Sequence, residues 1–188
     1  MFSGTLKGLA SDFLTDSGYK TSEIGFSLGT KFEQFQNIFL SPEIDFLIED
    51  LETSDKASST LKKQEGSYKD LYFNYSINQD LRDKKYNTES GYVTNFAQEL
   101  PIISDNAELS NAIEITKFHK LSTRSNMVGK VSFYGKTITG LNDDVRISKR
   151  LNIPSFRLRG FEKGKVGPIE NNDYIGGNHI STLNLSAT

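Results

Sequence analysis

IFLSPEIDFLI, residues 38–48, is the stretch whose reading decides the fold. Ile38, Leu40, Pro42, Ile44, Phe46 and Ile48 fall on one parity, and Ser41, Glu43, Asp45 and Glu49 mainly on the other, although Phe39 and Leu47 blur the contrast. A period of two places alternate side chains on opposite faces of an extended strand. The pattern continues upstream, where Ile24, Phe26, Leu28 and Phe32 are interleaved with Glu23, Gly25, Ser27, Gly29 and Lys31. Downstream, Leu71, Phe73, Tyr75 and Ile77 alternate with Tyr72, Asn74, Ser76 and Asn78.

Weaker runs share the period: Tyr92, Thr94, Phe96 and Leu100, with Gln98 as a flaw; Leu109, Ile113 and Ile115; Met127, Val131 and Phe133; Leu183 and Leu185. Phe2 to Phe13 reads as one more strand of ambiguous parity, which makes about eight strands in all. Glu33–Asn37, Asp80–Gly91 (DLRDKKYNTESG) and His119–Asn126 read as turns. Thr53–Lys69, with room for a brief surface helix, and Gly140–Gly177 read as longer polar links. Short turns at one end and long loops at the other suit an antiparallel transmembrane β-barrel. A soluble β-sandwich also alternates. Runs of 11 residues or more, such as 38–48, exceed the roughly five or six usual for its strands.

Composition removes several functions. The 188-residue chain has 22 basic and 24 acidic side chains and a net charge of −2, so nucleic acid is not an expected partner. It has no cysteine and two histidines, which leaves no disulfide, thiolate site or cysteine nucleophile, and little for a metal centre. No apolar run approaches the about 18 residues of a membrane helix. MFSGTLKGLASDFLTD at the amino terminus does not read as a secretory signal. His119, among Lys117 and Lys120, reads as a solvated surface residue. His179 and Ser181 share a strand face in an H-x-S spacing like that of outer-membrane phospholipase, but Thr182 and Leu183 stand where that family has Asn-Gly.

The most unusual stretch is PSFRLRGFEKGKVGPIENNDYIGGN, residues 154–178, whose five glycines and two prolines argue against a regular strand. Long irregular loops usually carry function. Leu158-Arg159-Gly160-Phe161 sets an always-charged guanidinium and an aromatic ring about a glycine, followed by Val166-Gly167-Pro168 and then Ile175-Gly176-Gly177-Asn178. That order resembles the sixth extracellular loop of the BamA family of Omp85-type barrels, whose members carry [V/I/L]RG[F/Y], IGP-like and GGN-like elements. Asp80–Gly91 is similar to the family's periplasmic turn, and Glu99-Leu100-Pro101-Ile102 to the end of its following strand.

The resemblance implies a part of a sixteen-strand barrel, roughly its fifth to twelfth strands, with residues 1–188 forming one partial outer-membrane β-barrel domain. POTRA domains and the first and last barrel strands are expected to lie outside it, and the chain stops at Ser186-Ala187-Thr188 in mid-strand. The implied function is assembly: helping β-barrel proteins to fold and insert into the outer membrane, without covalent chemistry or a cofactor. Implied partners are the outer-membrane bilayer, nascent barrel proteins and accessory lipoproteins. Arg159, Gly160 and Phe161 are expected to pack in the lumen, with the acidic partners of Arg159 on later strands. TamA-like proteins and two-partner-secretion transporters share the barrel and an RGF-like motif and remain alternatives.

Overall fold

The computed structural model describes residues 2–11, 18–55, 57–122, 124, 126–162, 164–170 and 173–187. Within them the chain runs β1 (Phe2–Ser11), β2 (Tyr19–Thr30), β3 (Phe32–Phe35), β4 (Ile38–Thr53), α1 (Ser59–Lys62), β5 (Gly66–Asp80), β6 (Gly91–Ser104), β7 (Glu108–Lys120), β8 (Val128–Gly140), β9 (Ile169–Glu170), β10 (Asp173–Tyr174) and β11 (His179–Ala187). One antiparallel sheet has the order β1-β2-β4-β5-β6-β7-β8-β11, with β3 beside β4. It is open, with β1 and β11 at its two edges. Phe13 and Thr188 lie outside the described residues.

The alternation holds across the sheet. Ile24, Phe26, Leu28, Ile44, Phe46 and Ile77 are exposed on one face, while Ser27, Asp45, Glu49, Asp70 and Tyr72 on the other are buried. Register aligns the apolar face across strands: Leu28 opposes Ile44, Ile44 opposes Phe73, and Phe73 opposes Leu100. A water-soluble sheet buries its apolar face. Here the apolar face is outermost and the polar face innermost, the arrangement of a transmembrane barrel wall. Strands of 12 to 16 residues in β2 and β4 to β8 exceed the roughly 9–11 needed to cross a bilayer. No described helix is long and apolar enough to cross one.

Gln98 is not a break in the pattern. It faces outward, accepts a hydrogen bond from Tyr75 Oη at 2.8 Å and donates to Asn111 Oδ1, so its amide is satisfied within the apolar face.

Three departures from the sequence reading have local causes. Glu33–Asn37 is mostly strand: β3 continues β2 after Lys31, and the reversal is confined to Gln36-Asn37, where Asn37 adopts φ 62° and its N–H donates to Glu33. Asparagine tolerates this left-handed backbone better than most residues. The loop end also holds one short link, residues 105–107, between β6 and β7. The long loop after β8 does contain strand, since β9 and β10 form a small hairpin of two residue pairs apart from the main sheet.

The core gathers at the loop end of the inner face. Leu51, Ala57, Leu61 and Ile147 form one cluster, and Ile138, Val145 and Leu151 another. Both draw residues from the long loop onto the sheet.

Candidate functional site

The site is the inner face near the loop end, together with the segment 141–178 laid over it. Inward parity places Glu49 on β4, Asp70 and Tyr72 on β5, and Glu108 and Ser110 on β7, all buried. Arg146 comes down from the loop into this set and is itself fully enclosed, at 0% exposure. Its Nη1 donates to Glu49 Oε2 at 3.2 Å. Its Nη2 donates to Asp70 Oδ2 at 2.6 Å, Glu108 Oε2 at 3.2 Å and Tyr72 Oη at 3.1 Å. The Arg146 backbone N–H donates to Glu108 Oε1 at 2.7 Å, and the Tyr68 ring lies 4.6 Å from the guanidinium carbon. Ser104 on β6 donates to the other Asp70 oxygen at 2.6 Å.

Three carboxylates thus converge on one guanidinium. Burial alone would push the Arg146 pKa down, but Glu108 and Asp70 outweigh it and hold the group above the ordinary arginine value. Arginine suits the position because its planar fork serves several acceptors at once. The balance is one-sided, since Glu49 Oε1 is buried with no hydrogen-bond partner among the described residues.

Around Arg146 the loop is packed. Val145 and Ile147 are buried on either side of it, and the Ile147 N–H donates to Gln64 beyond α1 at 2.9 Å. The neck of the loop is closed by Leu151 and Gly177, which exchange backbone hydrogen bonds at 2.7 and 2.9 Å. Asn178 O accepts from the Ile138 N–H at 2.8 Å. Gly176 is buried at φ 70°, and a Cβ there would lie 3.1 Å from Leu151 O, so glycine is required on two counts. Ile175 packs on the Leu51 cluster and its N–H donates to Pro168 O, which joins the second and third motif elements around the β9–β10 hairpin.

The first motif element lies lower, on the middle of the inner face. Arg157 pairs with Glu114 on β7 at 2.9 Å and stacks on Tyr134 of β8 at 3.9 Å. Leu158 is half-buried, while Arg159 and Gly160 are exposed, Gly160 at φ 85° in open space. Phe161 is 59% exposed. Arg159 lines a recess of about 360 Å³ with Lys130, Glu114, Arg157 and Phe156, and makes no ion pair among the described residues. Val166 is half-buried; Gly167 and Pro168 are exposed. Lys163, Asn171 and Asn172 of this loop lie outside the described residues.

The structure therefore brings the three motif elements into one folded loop against the inner face. Sequence reasoning missed the residues that hold it there: Arg146, Arg157, Glu49, Asp70, Glu108 and Glu114. His179 and Ser181 lie on the outer face, away from this site, and His119 sits near the turn end of β7. Among the described residues no group of His, Asp or Glu is arranged to hold a metal ion.

Comparison with known proteins bears on the same architecture. The Omp85 superfamily domain model matches residues 2–188. No curated relative matches the sequence. The fold is similar to the crystal structure of BamA from Haemophilus ducreyi lacking POTRA domains 1–3, with a TM-score of 0.84 at 16% identity. That likeness covers 98% of this chain and 41% of the other, so the chain spans about two-fifths of the length of that relative.

Proposed function

The chain belongs to the Omp85 superfamily of outer-membrane β-barrel proteins of assembly and transport, and from that premise we propose that it is barrel wall of a BamA-like assembly factor. In this reading its outward Phe, Ile and Leu residues meet the bilayer of a Gram-negative outer membrane. The whole protein helps nascent barrel proteins to fold and insert, alongside accessory lipoproteins. It does so without covalent chemistry or a cofactor. Unpaired strand groups are very costly in lipid, so a barrel that guides strands into pairing lowers the main obstacle to insertion.

The observation that carries the reading is the loop folded onto the inner face, closed at its neck by Leu151 and Gly177 and fastened by Arg146. The loop base stiffens the wall across β4 to β7, and Leu158, Arg159, Gly160 and Phe161 form the working tip in the lumen. The test is depletion of the full-length protein in its host, followed by complementation. Wild type should restore the general level of outer-membrane barrel proteins, and the Arg146→Ala variant should restore it poorly. Loss of a single exported protein, with barrel levels unchanged, would replace this reading with a secretion transporter.

A further inference from the structure

One part of the outer face breaks the apolar pattern without being satisfied internally. Asn111, Thr137 and His179 stand side by side on β7, β8 and β11 in one register row. Neighbouring strands lie about 4.8 Å apart, so the three span roughly 10 Å. The row sits just below the loop end: His179 opens β11, Thr137 is three residues from the end of β8, and Asn111 is three from the start of β7. Asn111 Oδ1 is taken by Gln98, which leaves its amide N–H₂ facing outward. No hydrogen bond within the described residues engages that N–H₂, the Thr137 hydroxyl or the His179 ring. Such groups on a lipid-facing wall call for a partner.

Directly below the row, Gly135 faces outward and leaves a hollow. A Cβ there would lie 3.4 Å from the Phe133 ring and 3.7 Å from Ile113, so the hollow exists because the position is glycine. Phe96, Ile113 and Phe133 wall a bowl of about 470 Å³, with Ser181 beside Gly135 at its floor and Asn111, Thr137 and His179 as its upper rim. Below it Ile115, Val131, Leu183 and Leu185 are exposed, with Lys117 on the same face opposite Val131. No carboxylate faces outward on β7, β8 or β11.

We propose that this bowl and its rim bind one phosphate-bearing lipid, the phosphate on Asn111, Thr137 and His179 and an acyl chain in the hollow at Gly135. An amide, a hydroxyl and an imidazole N–H are three donors on one side of an acceptor-rich group, and the apolar bowl directly below takes the chain. The inference rests on the reading that the outer face meets lipid. A glycerophospholipid and a phosphorylated glycolipid both present this chemistry.

The test is native mass spectrometry of the full-length protein in detergent micelles, with phosphatidylglycerol, lipid A and, as a phosphate-free control, diacylglycerol. One phosphate-bearing lipid should be retained per protein, about tenfold more tightly than diacylglycerol. The tighter of the two phosphate-bearing lipids identifies the source. Gly135→Leu should abolish retention, and Thr137→Val with His179→Ala, a change that leaves the Gln98–Asn111 hydrogen bond intact, should weaken it about tenfold. Equal retention of diacylglycerol, or retention unchanged in both variants, would overturn the site. A protein that does not fractionate with the outer membrane would instead overturn the proposed function.

Discussion

Two arginines of one loop, Arg146 and Arg159, meet opposite fates. Arg146 is enclosed by carboxylates from three strands and flanked by buried Val145 and Ile147. Arg159 is exposed in a recess lined by Glu114, a carboxylate already held by Arg157. The side chains are the same, so the difference lies in what the wall presents. The inner face carries an excess of negative charge at the loop end, and the first arginine of the loop neutralises part of it. Within this wall the base of the loop is therefore held, whereas Arg159 has no carboxylate of its own among the described residues, and the resemblance puts its partners on later strands.

The largest effect should come from breaking the base. Arg146→Ala strands three buried carboxylates and is expected to cost about 3–5 kcal/mol. Arg146→Lys, which keeps the charge but loses the fork, should recover only part of this. Arg159→Ala should cost about 1 kcal/mol or less within this wall, as exposed charges do. Denaturant unfolding in detergent, followed by heat-modifiable gel mobility, checks the ranking. Adding Glu49→Gln to Arg146→Ala should restore part of the lost stability, because it removes one of the three uncompensated charges, and a double-mutant cycle measures that coupling.

Next in size is the contrast between the two faces of a strand. Phe73→Arg puts a cation on the outward face and should cost roughly 2–4 kcal/mol if that position lies at mid-membrane. Asn78→Arg, on the inner face at the turn end, should be far milder. Equal unfolding midpoints for the two variants would contradict the assignment of faces.

Glycines separate neck from tip more finely. Gly176→Val meets both positive φ and the Leu151 carbonyl, whereas Gly160→Val meets positive φ in open space. Backbone strain of this kind costs about 1–3 kcal/mol, and Gly176→Val should stand at the upper end. Limited proteolysis of the loop should report the difference, with faster cutting in Gly176→Val.

Much of this architecture could be read from period two. Ile24, Phe26, Leu28, Ile44, Phe46 and the Leu71–Ile77 run all take the face that alternation gives them, and IGGN does mark where the loop rejoins the sheet. Arg146 was illegible for a physical reason: loop residues have no period, and nothing local distinguishes DDVRISK from other polar sequence. A signal existed elsewhere. Glu49, Asp70 and Glu108 lie on the inward parity near the same end of their strands, and a buried cluster of that kind demands a cation. Pairing such strand-end acids with a loop arginine flanked by Val and Ile would have pointed to it. Gln98 looked like a flaw because its partners, Tyr75 and Asn111, come from strands far away in sequence.

The smallest expected effect lies at the opposite end of the wall. Glu89 in the turn 81–90 pairs with Lys120 at 2.6 Å, and that ammonium, helped by Lys84, holds its carboxyl below the ordinary glutamate value of 4.5. A carboxyl depressed by folding stabilises above its unfolded pKa, and the contribution fades as pH falls through the folded value. Wild type should therefore lose a small increment of stability below about pH 4.5 that Glu89→Gln lacks throughout. Parallel unfolding curves of the two proteins at pH 7 and pH 3.5 would show it.

The central claim is that Arg146 fastens the loop base to the inner face while the tip stays open. The chain has no cysteine, so single cysteines report on each part once any cysteine elsewhere in the full-length protein is replaced by serine. Val145→Cys and Phe161→Cys would be introduced separately into the full-length protein and labelled with a membrane-impermeant maleimide. The expected result is that position 145 resists labelling while position 161 reacts, and that adding Arg146→Ala opens position 145 without changing 161. Rapid labelling of position 145 with Arg146 intact, or its continued protection after Arg146→Ala, would contradict the account.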